Sequence, residues 1–351
     1  MPGQLTNSFR TPISLLLGLG ALVLFPASGA GQGCAPARMA GVFPGTEGDI
    51  YLRRGTWQVG IAARRLRSSR LIQGHTDMGP SSVVTNTVVF PSLTFGLSDR
   101  VAIGVTVPVG HGTHETLYPD QQRHRNAATG IGDVSVTASA WLFSASPLRP
   151  GGNLGVGVGL KLPTGKNDIE GRWWNADGTT IPFPVHQSIE PGDGAWALIA
   201  RVHGFQPLAA GVYGYGGAIY TASLRGVTDV PRTPDSTQFW AAPDTWEASA
   251  GVAWAIRPEQ GFSARIGFFF SGTTRRDLIG DSDPREHRLP ATAGYLEPAL
   301  TLTRGAHTWT LGLAPRIYKN FKPSVWDEAA GKNGGGGLAK FLVQGGYVLR
   351  I

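Results

Sequence analysis

From residue 56 onward the chain is a succession of segments, each about 9 to 14 residues long, in which apolar residues alternate with small or polar ones. A period of two is the signature of a β-strand whose two faces meet different surroundings. The segments lie near 56–66, 85–97, 101–110, 132–143, 153–164, 194–206, 211–223, 245–256, 262–272, 292–304, 307–318 and 338–351, about twelve strands. The connections between them sort by length. The odd ones (67–84, 111–131, 165–193, 224–244, 273–291 and 319–337) are long, and the even ones (98–100, 144–152, 207–210, 257–261 and 305–306) are short. A Greek-key sandwich has no reason to sort its loops this way. A barrel threaded through an outer membrane does, with short periplasmic turns and long extracellular loops. The predicted fold is therefore all-β: a transmembrane antiparallel β-barrel of about 12 strands spanning 56–351.

The faces of the strands support this assignment. In 153–164, Leu154, Val156, Val158, Leu160 and Leu162 share one face, with glycines and Lys161 on the other. In 245–256, Trp246, Val252, Trp254 and Ile256 oppose Glu247 and Ser249; in 307–318, Trp309, Leu311, Leu313 and Ile317 oppose Thr308, Thr310, Arg316 and Tyr318. Apolar residues outside and small or polar ones inside suit a wall bathed in hydrocarbon. The same alternation disposes of a phosphate-binding loop in GVGVGLKLPTGKN (155–167), where Gly159 and Gly165 are one residue too far apart and Asn167 stands where Ser or Thr is needed. Pro108, Pro163 and Pro315 fall near strand ends, where a missing N–H is tolerated.

Composition agrees. Fifty glycines, ten tryptophans and 16% charged residues make an unusual aqueous enzyme, and a mean hydropathy near zero is compatible with strands that show lipid at every second residue. Residues 1–30 carry one positive charge (Arg10), an apolar stretch Ile13–Phe25 and a small-x-small end at Ser28 and Ala30, the pattern of a cleaved signal peptide. Its removal takes the formal charge from +7 to +6. Residues 31–55 then form a periplasmic N-terminal segment. Cys34 is the sole cysteine, so an internal disulfide is excluded, and Gly31-Gln32-Gly33 lacks the apolar residue that precedes a lipid-anchored cysteine.

Three segments, FGLSDRVAIGVTVPVG (95–110), GIGDVSVTASAWLF (130–143) and GVGVGLKLPTGK (155–166), resemble the outer-membrane barrels named for the meta pathway of phenol degradation. The clear similarity covers about 85–166, and its motifs are turn-and-strand motifs. The resemblance implies an outer-membrane location and uptake of small hydrophobic or aromatic solutes, and it brings no catalytic residues.

The lumen-facing positions are the candidate solute path: Arg64, Lys161, Arg201, His203, Glu247, Arg265, Tyr295, Glu297, Arg316 and Lys340. Their basic bias favours anions or polarised aromatics. Glu247 and Glu297 are each expected to take an Arg, giving a constriction in a lumen between the filled eight-stranded barrels and the open porins. The histidines of HGTHE (His111, His114) and His124 fall in a predicted loop, in neither zinc-protease order, so no metal site or cofactor is expected. DLIGDSDPREHR (277–288) lacks EF-hand spacing and reads as polar loop. Trp57, Trp196, Trp246 and Trp309 suit an interfacial girdle, while Trp173, Trp174, Trp240 and Trp326 sit in long loops, stacking ligand or packing loops together. Expected partners are outer-membrane lipid, the solute, and the barrel-assembly machinery through the C-terminal strand, which ends in Ile351 rather than the usual Phe. No basic-aromatic platform for nucleic acid is present. The function expected is a channel or transporter rather than an enzyme. Its rivals are an outer-membrane lipid-modifying enzyme, disfavoured because no Ser–His–Asn/Asp set is evident, and an adhesive barrel with a closed lumen.

Overall fold

The computed structural model describes residues 51–144, 151–279 and 285–351. The expected signal peptide and Cys34 lie outside them. In the first half are β1 (Trp57–Gln73), β2 (Thr76–Gly96), β3 (Val101–Thr106), β4 (Val109–Leu117), β5 (Arg123–Ile131), β6 (Ser135–Trp141), β7 (Asn153–Lys161), β8 (Glu170–Trp174), β9 (Thr180–Pro184) and β10 (Ala197–Ala209). Then follow β11 (Val212–Ser223), β12 (Val227–Pro231), β13 (Phe239–Ala241), β14 (Thr245–Arg257), β15 (Phe262–Thr273), β16 (Glu286–His287), β17 (Ala291–Leu296), β18 (Ala299–Arg304), β19 (His307–Phe321), a short helix α1 (Val325–Ala329) and β20 (Phe341–Arg350).

Because β3–β4, β5–β6 and β17–β18 are each one stave with a break, the main sheet is a ring of twelve antiparallel staves. The ring closes where β20 pairs with β1, from Gln58 opposite Arg350 to Leu66 opposite Leu342. Two further bonds, Trp57 N–H to the Ile351 carbonyl (2.8 Å) and Ile351 N–H to that of Trp57 (2.9 Å), extend the seam to the last residue. Closure leaves no strand edge, the condition for a sheet to stand in hydrocarbon. Neighbouring β-residues project to opposite faces. Leu154, Val156, Val158 and Leu160 are accordingly exposed on the outside of β7, and Ile266, Phe268, Leu311, Leu313 and Val343 on other staves. Trp57, Trp254 and Trp309 mark one rim and Trp196 the other, as an aromatic girdle should.

Two expected loops are strands. Residues 67–84 extend β1 and β2 into a hairpin turning at Gly74, and 111–131 form the β4–β5 hairpin, so HGTHE lies in a strand. Beyond Val109 and Ile131 the outward positions become His111, Thr113 and Glu115. These hairpins leave the lipid, and the apolar alternation that marks a strand in membrane ends there although pairing continues. A bulge on β19 also overturns one orientation. The register slips between Gly294 and Tyr295, so Tyr318 meets Phe270 on the outer face rather than pointing inward.

The interior is less uniformly polar than expected. Leu66, Phe269, Tyr295, Leu338, Phe321 and Leu342 form a buried apolar cluster within the barrel. Lipid-facing positions remain the most exacting. Replacing Val158, 68% exposed on the outside of β7, by Arg is expected to cost about 2–4 kcal/mol if it stands near the bilayer midplane. Denaturant-induced unfolding in lipid vesicles reads this; an unchanged midpoint would contradict the assigned face.

Candidate solute path through the barrel

Arg64 on β1 and Glu247 on β14 stand five staves apart one way round the ring and seven the other. They nonetheless form an ion pair, Arg64 Nη1 donating to Glu247 Oε1 at 3.2 Å, with both side chains at most 6% exposed. The pair is thus a bar laid across the lumen. Arg64 also lies over the Phe269 ring, 5.2 Å from its centroid. Glu297 takes the second arginine as expected, accepting from Arg265 Nη2 at 3.3 Å and from Gln344. Such partners offset the cost of burying the cation.

The bar separates two cavities. The lower one, toward the short turns, is lined by Arg64, Glu247, Arg201, His203, Trp141 and Tyr215. The upper one is lined by Lys161, Ile199, Ile189, Trp240, His287 and Leu289. Tyr295 belongs to neither, being 2% exposed in the apolar cluster, with its hydroxyl 3.4 Å from the Ala339 carbonyl. Arg316 donates to the Leu338 carbonyl at 2.6 Å. Lys340 departs from the predicted set: β20 begins one residue later, and Lys340 is exposed at the preceding bend instead of joining the lumen row.

Lys161 is a latch. Its ammonium reaches Asp133 Oδ2 (3.2 Å) and Asp193 Oδ1, while Asp133 accepts the backbone N–H groups of Gly165 (3.0 Å) and Asp193 (3.1 Å). Gly165 and Gly192 touch backbone to backbone; a Cβ on Gly165 would stand 2.7 Å from the Gly192 Cα. The segments GIGDV, LPTGK and PGDG therefore meet at one point, which pins both ends of residues 162–196 to the inner wall. Asp133 and Asp193 escaped sequence reading because nothing local marks them as partners of Lys161.

From that anchor the chain folds over the upper mouth. Ile189 packs against Gly112, where a Cβ would come within 2.6 Å, and Asn86 Nδ2 donates to the Ser188 carbonyl at 2.7 Å. His114 on β4, His186, Trp240 and His287 follow one another in tilted and edge-on contact, with centroids 4.3, 4.5 and 4.8 Å apart. The loop tryptophans pack loops together: Trp174 stacks on His124 at 4.3 Å and Trp173 meets Tyr118 and Phe183. Asp277, in the 277–288 stretch that lacks EF-hand spacing, pairs with Arg288 at 2.6 and 2.7 Å. Among the described residues no group of three or more His, Cys, Asp or Glu is placed to hold a metal ion.

No family model matches the chain, and no curated protein matches it in sequence. Solved structures do match in shape. The chain is similar to an outer membrane channel from Pseudomonas putida F1, at 14% identity and a TM-score of 0.59, over 89% of this chain and all of that one. Weaker similarities are to the P. putida toluene transporter TodX (8% identity, TM-score 0.41, 86% of this chain and 91% of that one) and the monoaromatic hydrocarbon channel CymD (9%, 0.41, 86% and 89%). The first match shows that the fold is that of an outer-membrane β-barrel; the other two are too distant in shape to add to it.

Two outcomes follow from the latch and the cap. Lys161→Met leaves Asp133 and Asp193 facing each other without their cation, and breaking a buried pair costs about 3–5 kcal/mol. Limited proteolysis of residues 162–196 in the folded barrel should accelerate sharply; wild-type resistance would mean the latch holds nothing. The cap should also respond to acid. Burial pushes His114 down to about 4 and His287 to about 3, and burial, then His114, holds His186 well below the usual histidine range. A free histidine titrates near 6.5. Over that window the opened cap binds more protons than the closed one, so its stability is complete above about 6.5 and lost as pH falls toward 4. Trp240 fluorescence followed from pH 7 to 4 checks this, and a flat profile in an intact barrel would refute it.

Proposed function

We propose that the protein is an outer-membrane channel that passes small hydrophobic or aromatic solutes. One observation carries this reading: two cavities, lined by aromatic, aliphatic and basic side chains, lie in line along the barrel and are parted by the Arg64–Glu247 ion pair. A lumen filled by side chains from rim to rim would have no such stations. The fold shared with a solved outer-membrane channel supports the location, and the three motifs resembling the meta-pathway barrels support the solute class. The exposed apolar band would meet lipid, and β20 would present the C-terminal strand to the assembly machinery. Uptake without chemistry is the simplest role for these residues.

The folded cap and the Arg64–Glu247 bar favour one rival, a barrel whose lumen stays shut. Purified protein in planar bilayers separates the two. A channel gives discrete current steps, and liposomes carrying it swell in small solutes. Arg64→Ala, which removes the bar, should raise single-channel conductance severalfold, since lumen charges tune permeation. Absence of current from both wild type and variant would favour the closed barrel.

A further inference from the structure

Arg201, on β10, projects into the lower cavity between Gly157 of β7 and Ile219 of β11. The nearest acid in register, Glu247 opposite Ile219, is already committed to Arg64 across the lumen. Arg64, Arg265, Arg288 and Lys161 all hold carboxylates. Arg201 has neither an ion pair nor a hydrogen bond among the described residues. One more polar group of a residue lining the same cavity has no partner: His203 Nδ1, one inward position below Arg201. Orphaned donors inside a protein are costly. Two on one wall of a cavity mark a place where something else completes the bonding.

We infer that this cavity binds the carboxylate of a monoaromatic acid, with Arg201 as the anchor. The guanidinium presents a planar fork that matches a carboxylate bidentately. His203, one inward position below, adds a ring nitrogen to the same wall. Small residues beside Arg201 (Gly157 and, opposite it on β6, Ser139) keep the volume open. Below lies the wall for a ring. Trp141 stands edge-on to His203 at 4.6 Å and 6.0 Å from Phe205, and Tyr51 lies 5.2 Å from Trp141. Aromatic rings prefer such tilted neighbours. The cavity thus joins one cation to an aromatic floor, the two halves of a benzoate-like molecule. This assignment rests on the channel reading and narrows its solute class to anions.

The test uses the full-length barrel in detergent and in planar bilayers, with benzoate and the neutral benzyl alcohol as probes. Wild type should bind benzoate saturably, read by quenching of Trp141, and should favour it over benzyl alcohol by about tenfold or more, as expected for a charge-assisted pair. Arg201→Gln should lose that preference, its affinity for benzoate falling to that for benzyl alcohol. Arg201 has no partner to lose, so the folded form should persist; Arg201→Lys, which keeps the charge and loses the fork, should fall between. Equal affinity for the two probes in wild type, or undiminished benzoate binding in Arg201→Gln, overturns the site. Arg201-dependent benzoate binding without any current upholds the site and removes the channel; current that ignores Arg201 does the reverse.

Discussion

In hydrocarbon an unpaired backbone N–H or C=O costs several kcal/mol, because no water is there to meet it. The rest of this structure depends on that constraint. It requires the sheet to have no edge, which is met where β20 lies along β1 and Trp57 and Ile351 exchange both hydrogen bonds. With the ring shut, outward positions are free to be valine, leucine and tryptophan. The inward positions are then a private volume in which polar chemistry can be arranged. The same constraint tolerates breaks only where another group takes over. At the β5–β6 break, Gly132 N–H meets the Pro108 carbonyl (2.8 Å) and Val134 N–H meets the Thr164 hydroxyl (2.9 Å), so the wall stays bonded through the interruption.

Within that volume the charges are placed at three levels with different purposes. The Lys161 latch sits at the upper margin and holds the loops. The Arg64–Glu247 pair crosses the middle and narrows the lumen. Arg201 stands below with its charge unspent. The apolar cluster around Phe269 and Tyr295 fills one side of the lumen, so the open space is displaced toward β6, β7 and β10, where glycine and serine predominate. Gly155 shows why: a Cβ there would meet the His203 ring at 2.6 Å. The glycines of GVGVG are the relief into which His203 and Arg201 are fitted.

Much of this was legible from residues alone. Strand number and order follow from period-two segments and from sorted connection lengths, because both are direct consequences of a lipid-filled exterior. The partners of Glu247 and Glu297 were foreseeable as arginines, since few other charges face inward. What the sequence could not show depends on the third dimension. The β1–β2 and β4–β5 hairpins continue past the membrane, where selection for apolar alternation ceases, and they read as loops. Tyr318 turned outward because of a bulge that no local pattern announces, and Lys340 fell outside the lumen because its strand starts one residue later. Asp133 and Asp193 lie 60 positions apart, and their shared lysine sits on neither segment. His114, His186 and His287 come together only when three separate connections fold over one mouth.

The latch fixes residues 162–196 at both their ends, while the β8–β9 hairpin between them turns at Asn175–Thr179, with 176–179 exposed. Such an arrangement divides the segment into a hinge-free root and a free tip. The tip could be lengthened, shortened or rewritten without disturbing the barrel wall beneath. Tolerance outside and rigidity inside would then be the outcome of where two aspartates grip one lysine.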